Sequence, residues 1–244
     1  MVAQPHLKTQ IRDDFPVLKD PAFSYLDTAA SAQKPQQVIE AMNAVLRNHY
    51  ANIHRGEYHL SQKTTSLYES VRGKIQRFIS APREDEVVFT RNTTEAINLV
   101  ASSWGRAYFK PGDEILISEM EHHANIVPWQ MLRDQLGIKL MVLPVTDEGE
   151  WDLEALPQLL TERTRFAALV HVSNALGTIN PVQEVTRAIK AHNPDIKVLI
   201  DGSQSVVHAQ VDVQELGCDF FVFTGHKLYG PTGVGVLWAH YEIL

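Results

Sequence analysis

Seven short apolar runs punctuate this chain, at residues 87–89, 115–118, 140–143, 167–172, 198–200, 220–223 and 234–238. Each is continuous rather than alternating, the pattern of strands covered on both faces. Longer amphipathic stretches lie between most of them. In residues 60–79, Leu60, Thr64, Leu67, Tyr68, Val71, Ile75, Phe78 and Ile79 fall on one helical stripe. A second helix is expected to open at Pro35, suited to a first turn, and to run through Val38, Ile39, Met42, Val45 and Leu46. Pro181, after Asn180, opens a third, and residues 96–104 read as a further helix. Alternation of this kind predicts an α/β fold, a largely parallel sheet with helices on both faces. Ligands of such sheets gather beyond the carboxyl ends of the strands, so the chemistry is expected just past each run.

Composition narrows the class without choosing a function. The 244 residues suffice for one large α/β domain or two small ones. Apolar residues make up 44% and charged residues 21%, ordinary for a globular protein in water. A formal charge of −7 with no Lys/Arg-rich run argues against a nucleic-acid or anionic-membrane surface. No apolar run approaches the ~20 residues of a membrane span. Residues 1–8 are polar and mixed, with no apolar signal core, so no secretory leader is expected. The single cysteine, Cys218, excludes an internal disulfide framework and suits a reducing, cytoplasmic compartment. No repeat, low-complexity tract or linker stands out.

The strand ends carry the candidate chemistry. Residues 225–233 read Gly-His-Lys-Leu-Tyr-Gly-Pro-Thr-Gly, placing Lys227 in a glycine-flanked turn after an apolar strand. Such a lysine can hold an aldehyde cofactor as a Schiff base, although taken alone a solvated surface lysine is the commoner case. Asp201 ends another apolar strand, where an unpaired carboxylate is costly. A protonated pyridine nitrogen would resolve that cost, with Gln204 donating to the ring's phenolic oxygen; capping the following turn is the alternative role for Asp201. Thr93 and Thr94 stand where a strand gives way to a helix, a place fit for a phosphate or for ordinary capping. His122, in Glu121-His122-His123-Ala124-Asn125, can lie over an aromatic ring and shuttle protons. A metal site is the weaker reading, because adjacent histidines point apart and no ligand cluster completes one. Asn174 either bonds the cofactor or shapes the turn before Gly177.

In this order, from about Phe15 to the last residue, these stretches resemble the class V aminotransferase superfamily, and within it the Suf-type (group II) cysteine desulfurases. The likeness also rests on residues 25–35, Tyr-Leu-Asp-Thr-Ala-Ala-Ser-Ala-Gln-Lys-Pro, on His54-Arg55-Gly56, and on residues 121–129. It implies the large domain of a fold type I pyridoxal 5'-phosphate (PLP) enzyme, three αβα layers around a mixed, mostly parallel seven-stranded sheet. Residues 1–20 would form an N-terminal arm of that domain, which would occupy 1–244. By the same resemblance, Lys227 carries the cofactor, Asp201 pairs with the ring nitrogen, and Gln204 and Asn174 bind the ring hydroxyl side. His122 stacks on the ring, and Thr93, Thr94, Thr224 and His226 contact phosphate. Ala29, His54 and Arg55 lie at the active-site mouth, the last two near a dimer partner. Thr224 stands where the family usually has Ser, Asn92 where it often has Gly, and Ser203 where Ala is commoner.

The resemblance further implies a homodimer that takes sulfur from L-cysteine, or selenium from L-selenocysteine, and passes it to an acceptor protein for iron-sulfur cluster assembly. It also implies a smaller C-terminal domain, absent from 1–244, which bears the sulfur-accepting cysteine and a substrate-binding arginine. Cys218 is not expected to fill that role, since it enters a buried strand. Selenocysteine lyase, epimerase and transaminase activities on the same scaffold stay open, as does a cofactor-binding fragment without turnover.

Overall fold

The computed structural model describes residues 11–20, 22 and 24–244. The expected N-terminal arm and the polar opening stretch lie outside the described residues as far as residue 10.

All seven apolar runs become strands: β1 Val87–Thr90, β2 Glu114–Ser118, β3 Lys139–Leu143, β4 Thr164–Val170, β5 Lys197–Asp201, β6 Phe220–Thr224 and β7 Gly235–Ala239. They form one sheet in the order β1-β7-β6-β5-β4-β2-β3. The pairings β6–β5, β5–β4, β4–β2 and β2–β3 are parallel, and β7 runs antiparallel between β1 and β6. The sheet is therefore mixed and mostly parallel, with every strand except β7 ending on the same side. β4 stops two residues short of the expected end. Beyond it, His171 N–H donates to the Asp201 carbonyl at 3.0 Å, and Val172 makes an isolated antiparallel bridge to Ile179.

Five longer helices flank the sheet: α1 Gln36–Asn48, α2 His59–Phe78, α3 Thr93–Val100, α4 Val127–Leu136 and α5 Val182–His192. Pro35 and Pro181 are the capping residues of α1 and α5 rather than their first helical positions. α3 begins three residues before the expected start, because Asn92 supplies a cap by accepting the Glu95 N–H at 2.8 Å. It runs on through a wider π-type segment, Ala101–Gly105, that carries Trp104 into the aromatic core.

Alternate residues of each strand face opposite layers, as the pleat requires. Leu116, Leu169, Val198, Ile200, Phe221 and Trp238 pack with Val185 and Ile189 of α5. Ile115, Ala168, Leu199, Phe220 and Leu237 pack instead with Ile97 of α3 and with Trp129 and Leu132 of α4. The result is a three-layer αβα sandwich, as expected. Among the described residues, no helix is long and apolar enough to cross a membrane.

Candidate active site

Five strands deliver side chains to one cavity of about 490 Å³ beyond their carboxyl ends. Past β1 come Asn92, Thr93 and Thr94; past β2, His122 and Ala124; from β4 onward, Val170, Val172 and Asn174. β5 brings Asp201, Ser203 and Gln204, and β6 brings Thr224, His226 and Lys227. A segment before α1 closes one side with Asp27, Ala29 and Ala30. Of the sequence-derived candidates, only His54 and Arg55 do not line this space. His54 sits in the left-handed backbone region (φ 69°), 2.7 Å from the Glu69 carboxylate, and His54 and Arg55 are both exposed.

Lys227 is half-buried in a tight loop, where Leu228 and Gly230 N–H both donate to the Gly225 carbonyl at 3.0 and 2.8 Å. Burial lowers its amine below the usual lysine value, and the Asp201 charge partly opposes this. The cavity therefore holds an amine displaced toward its nucleophilic form, facing a carboxylate. Asp201 is buried, and its Oδ1 accepts the Ser203 N–H at 2.9 Å. Of the two roles weighed for it the structure shows the cap, and the same carboxylate also lines the cavity.

His122 lies at the open side. Its Nδ1 accepts the Ala124 N–H at 3.1 Å, which leaves the ring proton on Nε2. Burial, and then the nearby Lys227 charge, lower its pKa, so the neutral ring is the favoured form. Its ring stands at 90° to that of His123, with centroids 6.2 Å apart. Among the described residues, no group of three or more His, Cys, Asp or Glu is arranged to hold a metal. His226 is likewise lowered, chiefly by burial, and its Nδ1 lies 3.2 Å from Ser31 Oγ.

At the start of α3, Thr93 Oγ1 and Ser203 Oγ are hydrogen-bonded at 2.7 Å, joining the first and fifth strand ends. Free N–H groups and hydroxyls at that helix start suit an anion. The Asn92 backbone is extended (φ −174°), so the turn does not require the family's commoner glycine. The Gln204 side-chain amide donates to the Ala29 carbonyl at 2.8 Å, so one of its N–H groups holds the neighbouring segment and one stays available.

Sequence reasoning missed several lining residues: Asp27, Ala30, Ala124, Val170 and Val172 carry no reactive signature, and Ser203 entered only as a substitution for Ala. Position just past an apolar run was the signal that could have found Ser203, and the carboxyl end of the run 167–172 the signal for Val172.

Comparison with known proteins follows the same lines. The family model described as "Aminotransferase class-V" matches residues 24–244. A cysteine desulfurase of Dickeya dadantii is 54% identical over 239 residues, covering 96% of this chain and 58% of the relative. One from Pectobacterium atrosepticum is 52% identical with the same coverage. Among solved structures, the cysteine desulfurase CsdA from Escherichia coli matches with a TM-score of 0.87 at 42% identity, covering 97% of this chain and 58% of that one. The apo cysteine desulfurase from Thermococcus onnurineus matches with a TM-score of 0.90 at 39% identity, covering 96% and 57%. The chain thus spans a little under three-fifths of the length of these relatives, and it belongs to the aminotransferase class-V family.

Proposed function

We propose that this chain is the PLP-binding large domain of a cysteine desulfurase, with Lys227 as the covalent anchor of the cofactor. The observation that carries the reading is the convergence of a half-buried, pKa-lowered lysine and a buried aspartate on one cavity. The residues fit the group: the cavity is of a size for a small cofactor, with a carboxylate for a ring cation and an N–H-rich helix start for a phosphate. PLP, when bound, supplies an aldehyde that condenses with amines and a ring that draws electron density from the α-carbon of an amino acid.

The remaining work falls to the chain. Asp201 holds a ring cation and keeps its proton in place. The free N–H of Gln204, with Asn174, orients the hydroxyl side of the ring. Thr93, Thr94, Thr224 and His226 surround the phosphate. His122, neutral and with its proton on Nε2, covers the ring and moves a proton at the substrate. Lys227, when its amine is free, would be the base that takes the α-hydrogen. The thiol that takes the sulfur is not Cys218, which is fully buried in the core.

The stretches His54-Arg55-Gly56 and Glu121-His122-His123 favour the Suf-type branch, and with it a homodimer, delivery to an acceptor protein for iron-sulfur assembly and a cytoplasmic setting. His54 and Arg55 then belong to the mouth of the site, beside the partner.

Borohydride reduction of the protein loaded with PLP, followed by peptide mass mapping, tests the anchor: label on Lys227, absent from Lys227→Ala, is expected. Label on another lysine would sink the assignment. Product analysis with L-cysteine separates the chemistries, alanine with sulfide marking desulfuration and a keto acid marking transamination.

A further inference from the structure

Glu121 is a buried carboxyl next in sequence to His122, and the chemistry above gives it no task. Three groups converge on it, two of them N–H donors that cannot accept and the third a hydroxyl. Oε1 accepts from Ser118 Oγ at 2.6 Å and from the Val170 backbone N–H at 2.8 Å, and Oε2 accepts from Asn125 Nδ2 at 2.7 Å. The orientation of Asn125 is itself fixed, because its Oδ1 accepts the Trp129 indole N–H at 3.1 Å. Turning that amide over would set two donors face to face.

The network ties three parts of the cavity wall. Ser118 ends β2, Val170 ends β4, and Asn125 closes the single turn that follows His122. Val170 lines the cavity and is the register partner of Asp201 in the parallel β4–β5 ladder. His122, the residue next to Glu121, lines it too. One side chain therefore connects the loop that presents His122 to the strand end beside Asp201.

We propose that Glu121 is a positioning residue for His122: its buried, hydrogen-bonded carboxyl group fixes the gap between the His122 ring and the Val170–Asp201 strand ends, the slot that receives the cofactor ring. The inference rests on the PLP reading for what fills the slot, and on hydrogen bonds alone for how the slot is held. Burial pushes the carboxyl up to about 8, and the hydrogen bonds from Ser118, Asn125 and Val170 work against that rise. With its pKa at about 8 the acid form prevails around pH 7, and its proton has a place: on Oε1 it can be donated to the Ser118 hydroxyl, while the Val170 N–H and the Asn125 amide still find acceptor lone pairs. Glutamine has the same shape and cannot replace it. With its NH₂ at either oxygen position, at least one buried N–H faces another donor.

The test uses the whole chain with PLP, comparing wild type with E121Q, S118A, H122A and the double variant E121Q/H122A. E121Q is expected to weaken PLP binding about tenfold, to halve roughly the visible circular dichroism of the bound cofactor, and to keep the borohydride label on Lys227. In the H122A background, E121Q is expected to add less than about twofold. S118A, which removes one donor without altering shape, gives a smaller loss in the same direction and serves if E121Q does not fold. An E121Q protein with wild-type affinity and dichroism overturns the proposal. So does a loss of equal size in the H122A background, which would make Glu121 a general support of the fold.

Amide exchange without cofactor separates this idea from the PLP reading. The Val170 N–H is expected to exchange at least about tenfold faster in E121Q, or measurably faster in S118A. Unchanged exchange in both overturns the network. A wild-type protein that traps no PLP would instead sink the cofactor reading and leave the Val170 result to decide the network.

Discussion

The Lys34 ammonium donates to the carbonyl of His226 at 2.9 Å, the peptide group that leads directly into Lys227. The same ammonium donates to the Ala32 carbonyl, and Ala32 N–H donates to the His226 carbonyl at 3.0 Å. Residues almost two hundred positions apart are thereby joined at the loop that carries the reactive amine. With Gln204 on the Ala29 carbonyl, the segment before α1 is bonded to two of the five strand ends.

Lys34→Met keeps the length of the side chain and removes the charge. The His226 carbonyl retains the Ala32 N–H, whereas the carbonyl of buried Ala32 loses the Lys34 donor, and the expected loss is about 1 kcal/mol. For a chain of this size that is a fall of about 2–4 °C in Tm. Lys34→Arg should recover part of it. A Tm for Lys34→Met equal to that of wild type would show that the backbone bond alone holds the segment.

The seven strands were legible in the sequence as continuous apolar runs, although the edge strands β1 and β3 are only partly covered, contrary to the expectation of burial on both faces. The order of the seven was not. Residues 234–238 are as apolar as the other runs, and nothing local marks that β7 is reversed and inserted between β1 and β6; long-range pairing decides that. The same division applies to the site. Lys227, Asp201 and His122 were found as reactive residue types just past apolar runs. Lys34 and Glu121 stood in the stretches that carried the resemblance and still received no role, because Lys34 bonds two backbone carbonyls, and Glu121 bonds the Val170 N–H together with the Ser118 and Asn125 side chains, a set that only the folded chain assembles. Backbone groups leave no trace in residue identity. The Thr93–Ser203 bond joins two side chains 110 positions apart, and the pairing of two common hydroxyls is decided by the fold rather than by residue type.

Lys227 titration gives stability a definite sign against pH. Burial lowers its folded-state pKa below the unfolded value of about 10.4. Between those two values the unfolded chain holds a proton that the native amine has released, so stability rises with pH through that window. Lys227→Met removes the buried charge and should be more stable than wild type at pH 7, with the difference shrinking toward pH 10. Asp201→Asn removes the charge that opposes the shift, so the midpoint for acylation of Lys227 should move lower still. A midpoint that moves up in Asp201→Asn would contradict the electrostatic link between the two residues.

Cys218 is fully buried, and desolvation, with the adjacent Asp219 charge, pushes its thiol well above the usual range. The thiolate that attacks disulfides or accepts sulfur is thus suppressed. A disulfide reagent should leave native protein unlabelled and label one thiol after denaturation. Cys218→Ala should lower stability by about 1 kcal/mol through a small cavity and leave PLP binding unchanged. Rapid labelling of the folded chain would refute this placement.

Gly235 opens β7 opposite both Thr90 of β1 and Thr224 of β6, where the sheet meets the start of α3. A Cβ built there would lie 2.5 Å from the Cα and carbonyl carbon of Asn92 and 2.7 Å from its N. All three are main-chain atoms, so no side chain can swing away, and the turn that caps α3 must move instead. Gly235→Ala should therefore cost about 1–3 kcal/mol of stability through overpacking. Because Asn92 precedes Thr93 and Thr94, the displacement should also weaken PLP about tenfold or more by misplacing the phosphate donors. Gly177→Ala is the control: its Cβ would meet nothing within 4 Å, although its φ of 76° carries a backbone cost. It should lower Tm with little change in PLP affinity. Equal affinity losses in the two variants would detach the phosphate site from the β7–α3 contact.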